Sequence, residues 1–210
     1  MTEQASTILF AGQRFPPGAK VIDLVNAPVV TLDPLGELPE LRVLRIRLTN
    51  PHESPGGALL DLSVLRNCSH LAVVEIPEQN VRSLDGVENH QELHTLDLSF
   101  TRVADLTPLV GLPGLAILRL RHTRVADLAP LASISTLQEL DIAHTPVADI
   151  SALRHHPSLV ALDLRATRVT DLSALAEMPA LRRVVVQRLD VDEAAIGRLR
   201  KARPDVEVVG

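Results

Sequence analysis

Phe100, His122 and His144 follow one another at 22-residue intervals, and Asp97, Arg119, Asp141 and Asp163 form a second series with the same interval. Imidazole and carboxylate are ligand types that zinc and similar ions accept. His122, His144 and Asp141 therefore invite a metal reading, but the pattern supplies no fourth donor and no metal is expected. The stronger chemistry is recognition of another protein. Arg and aromatic side chains are enriched among the residues that dominate protein interfaces, and Phe100 is one of three Phe in a chain without Trp or Tyr. The expected binding set is Phe100, Arg121, His122 and His144 with Arg119, Asp97, Asp141 and Arg165 around them.

Catalysis needs a nucleophile with its base, a phosphate-binding loop or paired carboxylates in a cleft. The chain has no GxSxG, Walker or GxGxxG pattern, and Gly56-Gly57 lacks the strand-to-helix context of a phosphate cradle. No catalytic residue and no cofactor is expected, and the protein is read as a non-enzyme. Cys68, His90 and His156 share an inward column with Leu112, Ile134 and Met178, so they are expected to pack inside. Arg102, Arg124 and Arg168 each precede an Asp by three residues (Asp105, Asp127, Asp171) and are expected to pair with it locally. Exposed pairs of that kind contribute about 0 to 1 kcal/mol.

These series exist because the chain repeats. Leu93, Leu115, Leu137, Leu159 and Leu181 are 22 residues apart, Leu71 stands a further 22 before them, and Leu41 and Ala19 extend the series. Within a unit, Leu93, Leu96, Leu98, Val103, Leu106, Leu109 and Leu112 are matched by Leu115, Leu118, Leu120, Val125, Leu128, Leu131 and Ile134. The pair at two-residue spacing predicts a short strand with one face inward. The three at three-residue spacing predict a short helical or 3-10 segment. Thr31, Asp61, Ser83, Asp105, Asp127, Asp149 and Asp171 stand just before that segment, where a side-chain oxygen accepts from free backbone amides. Pro34, Pro108 and Pro130 fall in its first turn, where a missing N–H costs nothing.

The pattern Leu-x-x-Leu-x-Leu-x-x-Thr-x-Val-x-Asp-Leu-x-Pro-Leu resembles the 22-residue leucine-rich repeat of bacterial internalin-type proteins, over about residues 19 to 190. The chain departs from it in placing Thr101, Thr123, Thr145 and Thr167 where the family usually has Asn. The resemblance implies an α/β solenoid: a right-handed β-α superhelix, curved as a horseshoe, with a parallel sheet on the concave side and short helical or 3-10 segments on the convex side. Single units cannot bury their Leu faces alone, so the ends need caps. The expected organisation is one domain: an N-terminal cap over 1–18, seven repeats over 19–180, and a final strand with C-terminal cap over 181–210. The unit at 41–70 carries an inserted loop at 50–58.

Composition agrees with a repeat protein. Of 210 residues, 46% are hydrophobic but 1% aromatic, so the core must be aliphatic. With 21 Lys+Arg against 26 Asp+Glu, the formal net charge is −5, which supplies no overall basic field for nucleic acid or an anionic membrane. Neither is an expected partner. One cysteine and an amino terminus without a signal-peptide pattern lead to an expected cytoplasmic location. The expected function is that of a protein-interaction module binding a protein on its concave face, in one variant a regulator or immunity-type inhibitor. The alternatives are a surface adhesin of internalin type and, further off, a small-ligand or metal-dependent enzyme.

Overall fold

The structure is a computed structural model and describes residues 7–48 and 58–210. Of the expected inserted loop, positions 50–57 lie outside the described residues, as do the first six residues of the expected N-terminal cap.

Two antiparallel strands come first, β1 (Ile8–Phe10) and β2 (Gln13–Phe15). Ala11 and Gly12 join them, both at positive φ, as a two-residue hairpin turn requires. A parallel sheet follows, one strand per turn of the chain: β3 (Val21–Val25), β4 (Val43–Arg47), β5 (Val73–Glu75), β6 (Thr95–Asp97), β7 (Ile117–Arg119), β8 (Glu139–Asp141), β9 (Ala161–Asp163), β10 (Arg183–Val185) and β11 (Glu207–Val209). Neighbours in sequence are neighbours in space throughout these nine strands. From β6 to β10 the register pairs each residue with the one 22 positions on, as in Leu96 with Leu118 and Leu118 with Leu140. The result is a curved solenoid with this sheet on one side and short helical segments on the other.

The return segments are 3-10 turns at Asp33–Glu37, Ser63–Asn67, Thr107–Leu109, Ala129–Ser133 and Ser151–Leu153, then α1 (Ser173–Ala176) and the longer α2 (Glu193–Ala202). All seven expected capping residues accept the amide two positions on, from Thr31 with Asp33 to Asp171 with Ser173, at 2.7–3.1 Å. Those bonds hold the carboxyls of Asp61, Asp105, Asp149 and Asp171 below the usual carboxylate range. Pro34, Pro108 and Pro130 take first-turn positions. The unit between β5 and β6 has turns but no helical segment. There Gly86, at φ +100°, runs so close to the preceding unit that a Cβ would sit 2.3 Å from the Leu62 carbonyl oxygen.

The core is one continuous column of Leu, Val and Ile, from Ile8 and Phe10 in the hairpin to Val206 beside β11. At the far end α2 starts on Asp192, whose carboxylate accepts the Ala195 amide at 2.6 Å. Beyond α2, Arg203 donates to the carbonyls of Met178 (2.6 Å) and Leu181 (3.1 Å), tying the end of the chain to the last full turn. Its pairing with Asp205 draws that carboxyl down to about 2. No helix among the described residues is long and apolar enough to cross a membrane.

Candidate functional site

In seven units the residue that follows the second buried strand position by two adopts a left-handed conformation: Asn26, Glu78, Phe100, His122, His144, Ala166 and Arg188 all have φ between 53° and 64°. That conformation is uncommon outside Gly, Asn, Asp and His, yet the fold requires it here of Glu, Phe, Ala and Arg as well. It turns each amide toward the next unit, so that the N–H of Phe100 donates to Arg121, that of His122 to Ala143 and that of His144 to Arg165. The sheet ladder thus continues beyond the strands, and its spacing of about 4.8 Å is also a stacking distance for flat side chains. Phe100 and His122 stack with ring centroids 4.5 Å apart and planes 18° from parallel; His122 and His144 follow at 4.1 Å and 11°. The rings form one exposed row along the rim of the sheet. Phe100 retains 42% exposure.

Beside this row lie Arg121 and Arg165, with the fully buried Ala143 between them in register. Burial, then His144, then the neighbouring Arg121 guanidinium push His122 below the ordinary histidine range. His144 is lowered by burial, then by Arg121, Arg188 and Arg165, with Asp163 opposing. Both shifts favour the neutral imidazole. Their planes are almost parallel, so their in-plane lone pairs run side by side instead of converging as a tetrahedral ion demands. Among the described residues no three His, Cys, Asp or Glu side chains gather as a metal site.

The strand column is arranged differently from a ladder of alternating charge. Asp97, Asp141 and Asp163 turn along their own strands to accept the amides of Ser99, Ala143 and Arg165, each at 2.9 Å. Arg119 lies in register between Asp97 and Asp141, but its ion pair is with Glu139 at 3.9 Å. Arg165 holds Asp163 at 2.5 Å. Burial raises the Asp141 carboxyl, against the amide bond that lowers it. Between these side chains, over the small Ala161, the sheet has a hollow of about 100 Å³ lined by Arg119, Asp141, Asp163 and Arg183. Small-molecule sites run to about 300–1,000 Å³, so this hollow suits one side chain of a larger partner.

The structure brings Phe100, Arg121, His122, His144 and Arg165 to one rim, with Asp97, Arg119 and Asp141 on the adjoining sheet face. It adds Arg188, close enough to act on His144. The signal for Arg188 was present: it shares the rim column with His144 and Ala166 at 22-residue spacing. The local pairing expected of Arg102, Arg124 and Arg168 is absent. Among the described residues no ion pair within 4 Å joins them to Asp105, Asp127 or Asp171, because those carboxylates are turned onto backbone amides.

The inward column is wholly structural. The His156 ring donates through Nε2 to the Ile134 carbonyl at 2.9 Å while Nδ1 receives the Ser158 amide. His90 bridges the Val87 and Leu65 carbonyls at 3.0 and 3.1 Å. Cys68 is buried against the Leu35 carbonyl, and burial pushes its thiol up to about 11, far from a reactive thiolate. Thr101, Thr123, Thr145 and Thr167 are buried and donate to carbonyls of their own units, Leu98, Leu120, Ile142 and Leu164, at 2.7–2.8 Å. At this point of the repeat the bond between turns comes from the backbone: the amides of Arg102, Arg124 and Arg168 donate to Val81, Val103 and Val147.

No family model and no curated protein matches the chain. Solved structures match its fold. An internalin (inlF) from Listeria monocytogenes superposes with a TM-score of 0.73 at 20% identity, over 94% of this chain and 63% of its own length. Internalin C2 from the same species gives 0.73 at 23% identity, over 95% and 85%. A leucine-rich repeat protein of Leptospira interrogans gives 0.77 at 17%, over 91% and 48%. The chain thus spans less than two thirds of two of these three structures. The fold is a leucine-rich repeat solenoid of internalin-like form. The expected cytoplasmic location is corrected by the same matches. A likeness to internalins, the resemblance that implied a surface adhesin, runs against it, and a lone buried cysteine is compatible with either side of a membrane.

Proposed function

We propose that the protein is a non-enzymatic, protein-binding solenoid of internalin type, built on 22-residue repeats and acting as a surface adhesin. The partner, a protein and neither nucleic acid nor membrane, docks on the concave face and its rim. Phe100, Arg121, His122 and His144 form the centre of the site, and Asp97, Arg119, Asp141 and Arg165 surround it. The observation that carries this reading is the exposed Phe100–His122–His144 row beside Arg121. A rigid row of flat side chains presents contact area with little entropy left to lose on binding. In the same reading the β1–β2 hairpin and residues 181–210 are the caps of seven repeats. The inward columns are committed to backbone bonds, which leaves the rim and sheet face as the surface free to recognise a partner.

The test is capture from intact-cell surface proteins by wild type and by the Phe100→Asp, Arg121→Glu variant, with circular dichroism confirming that both are folded. Capture by wild type alone is the expected result; equal capture by both overturns the site. Fractionation of the native organism checks the adhesin role, since a protein confined to the cytoplasm is a regulator instead.

A further inference from the structure

The rim is not uniform along the solenoid. In its N-terminal part the turn positions hold Asn26, Pro77, Glu78 and Asn80 with Arg47 as their one described cation, whereas from Arg102 onward Arg102, Arg121, Arg124, Arg165, Arg168 and Arg188 stand among Ala143, Ala166 and Gln187. In the N-terminal units Arg45 pairs with Glu75 at 2.6 Å and Arg47 with Asp23 at 2.7 Å. From Arg102 onward only Arg165 of the rim arginines is paired; among the described residues Arg102, Arg121, Arg124, Arg168 and Arg188 make no ion pair within 4 Å. Asp105, Asp127, Asp141 and Asp171 turn their carboxylates onto backbone amides and form no direct pair with them. A chain of net charge −5 therefore concentrates unpaired positive charge along one edge, with two neutral imidazoles in its middle.

We propose that this ridge, from Arg102 to Arg188, docks an extended acidic segment of the protein partner, and that His122 and His144 tighten the grip as pH falls. The proposal rests on the reading of the rim as a protein-binding face and specifies what the partner presents there. The turns holding Phe100, His122, His144, Ala166 and Arg188 are stacked at about 4.8 Å, so the ridge runs about 19 Å, the length of roughly six extended residues. Carboxylates at every second position of such a segment stand about 6.6 Å apart, so three of them spread over the five turns and reach guanidinium groups and imidazoles along the ridge.

The sign of the pH effect follows from the surroundings. His122 faces Phe100, His144 and Arg121; His144 faces His122, Arg121, Arg165 and Arg188, with Asp163 the acid that opposes them. In the free protein a proton on either ring is repelled by those arginines and by the other ring. Bound carboxylates offset that repulsion, so binding takes up protons and affinity rises as pH falls through the histidine range. Two exposed charge pairs give about a three- to tenfold gain.

The probe is a fluorescein-labelled Asp-rich decapeptide, which stays ionised at pH 5.5, read by fluorescence anisotropy at pH 7.5 and 5.5 at constant ionic strength. Wild type is expected to bind three- to tenfold tighter at pH 5.5. In His122→Ala, His144→Ala the ratio of the two affinities should fall to about one, whatever the absolute affinity. His122→Lys, His144→Lys should bind at pH 7.5 as wild type does at pH 5.5, and Arg121→Glu, Arg188→Glu should abolish binding at both. An unchanged ratio in the alanine variant, or binding that survives Arg reversal, overturns the proposal. So does tighter binding of a sulfated heparin fragment than of the peptide, which would make the ligand a polysaccharide. No peptide binding, with surface-protein capture still lost in Phe100→Asp, Arg121→Glu, overturns the acidic-segment proposal and leaves the binding face standing; peptide binding with capture unaffected does the reverse.

Discussion

His90 and His156 on the inward side and His122 and His144 on the rim are the same residue type in the same repeat, and the fold uses them in opposite ways. The inward pair is buried and spends its ring nitrogens on backbone groups of its own and the preceding unit. The rim pair stacks, and among the described residues its rings make no hydrogen bond, which leaves them to whatever docks there. A repeat protein thus separates stability from recognition by column: position within the 22-residue period decides which role a histidine plays.

The largest effect that would break this comparison is on stability. His156→Ala leaves the Ile134 carbonyl unsatisfied in the core and opens a cavity, and is expected to cost about 2–3 kcal/mol. His122→Ala, on the rim, should stay within about 0.5 kcal/mol. Urea denaturation of both variants checks this, and equal losses would mean that the two columns are not separate. A smaller loss sharpens the same contrast. Thr123→Val keeps the shape but removes the 2.7 Å bond to the Leu120 carbonyl, for about 1 kcal/mol, while Ser99→Ala, a neighbouring position without a side-chain bond, should cost measurably less.

Smaller again is a dependence on pH. His156, His122 and His144 are all held below the ordinary histidine range, first by burial. The unfolded chain therefore binds more protons than the native one as pH drops through that range, so stability is full above about 6.5 and declines below it. Unfolding midpoints at pH 7 and pH 5 should show the decline, and His156→Gln should reduce it. In His122→Ala, His144→Ala the reduction should be separate and additive, because the two columns share no partner. A coupled effect would show that the rim and the core titrate as one unit.

Much of this molecule was legible in the chain. The 22-residue spacing from Leu71 to Leu181 set the strand register, and the Asp105, Asp127, Asp149 and Asp171 series marked the start of each return segment, because burial and orphan amides constrain residue type strongly. The rim was legible as a set of columns but not as an arrangement. An exposed side chain has several directions open to it: the spacing allows Asp97, Arg119 and Asp141 to pair across the strands, and their bonds to strand amides and to Glu139 take the place of that pairing. The same holds for Arg102 and Asp105, near in sequence but turned to different partners.

What the sequence determined by itself is therefore the inside: which residues face the core, how often the chain turns, and where each turn is capped. Removing apolar surface from water and satisfying backbone amides are demands that only a few residue types meet. What the tertiary structure decided is the outside. The left-handed φ of Phe100, His122 and His144 belongs to the turn, which imposes it on Phe as on the more tolerant His. Only the stacking of one turn on the next, through the Phe100 and His122 amides, lays those rings face to face beside Arg121 and leaves the cationic edge unpaired.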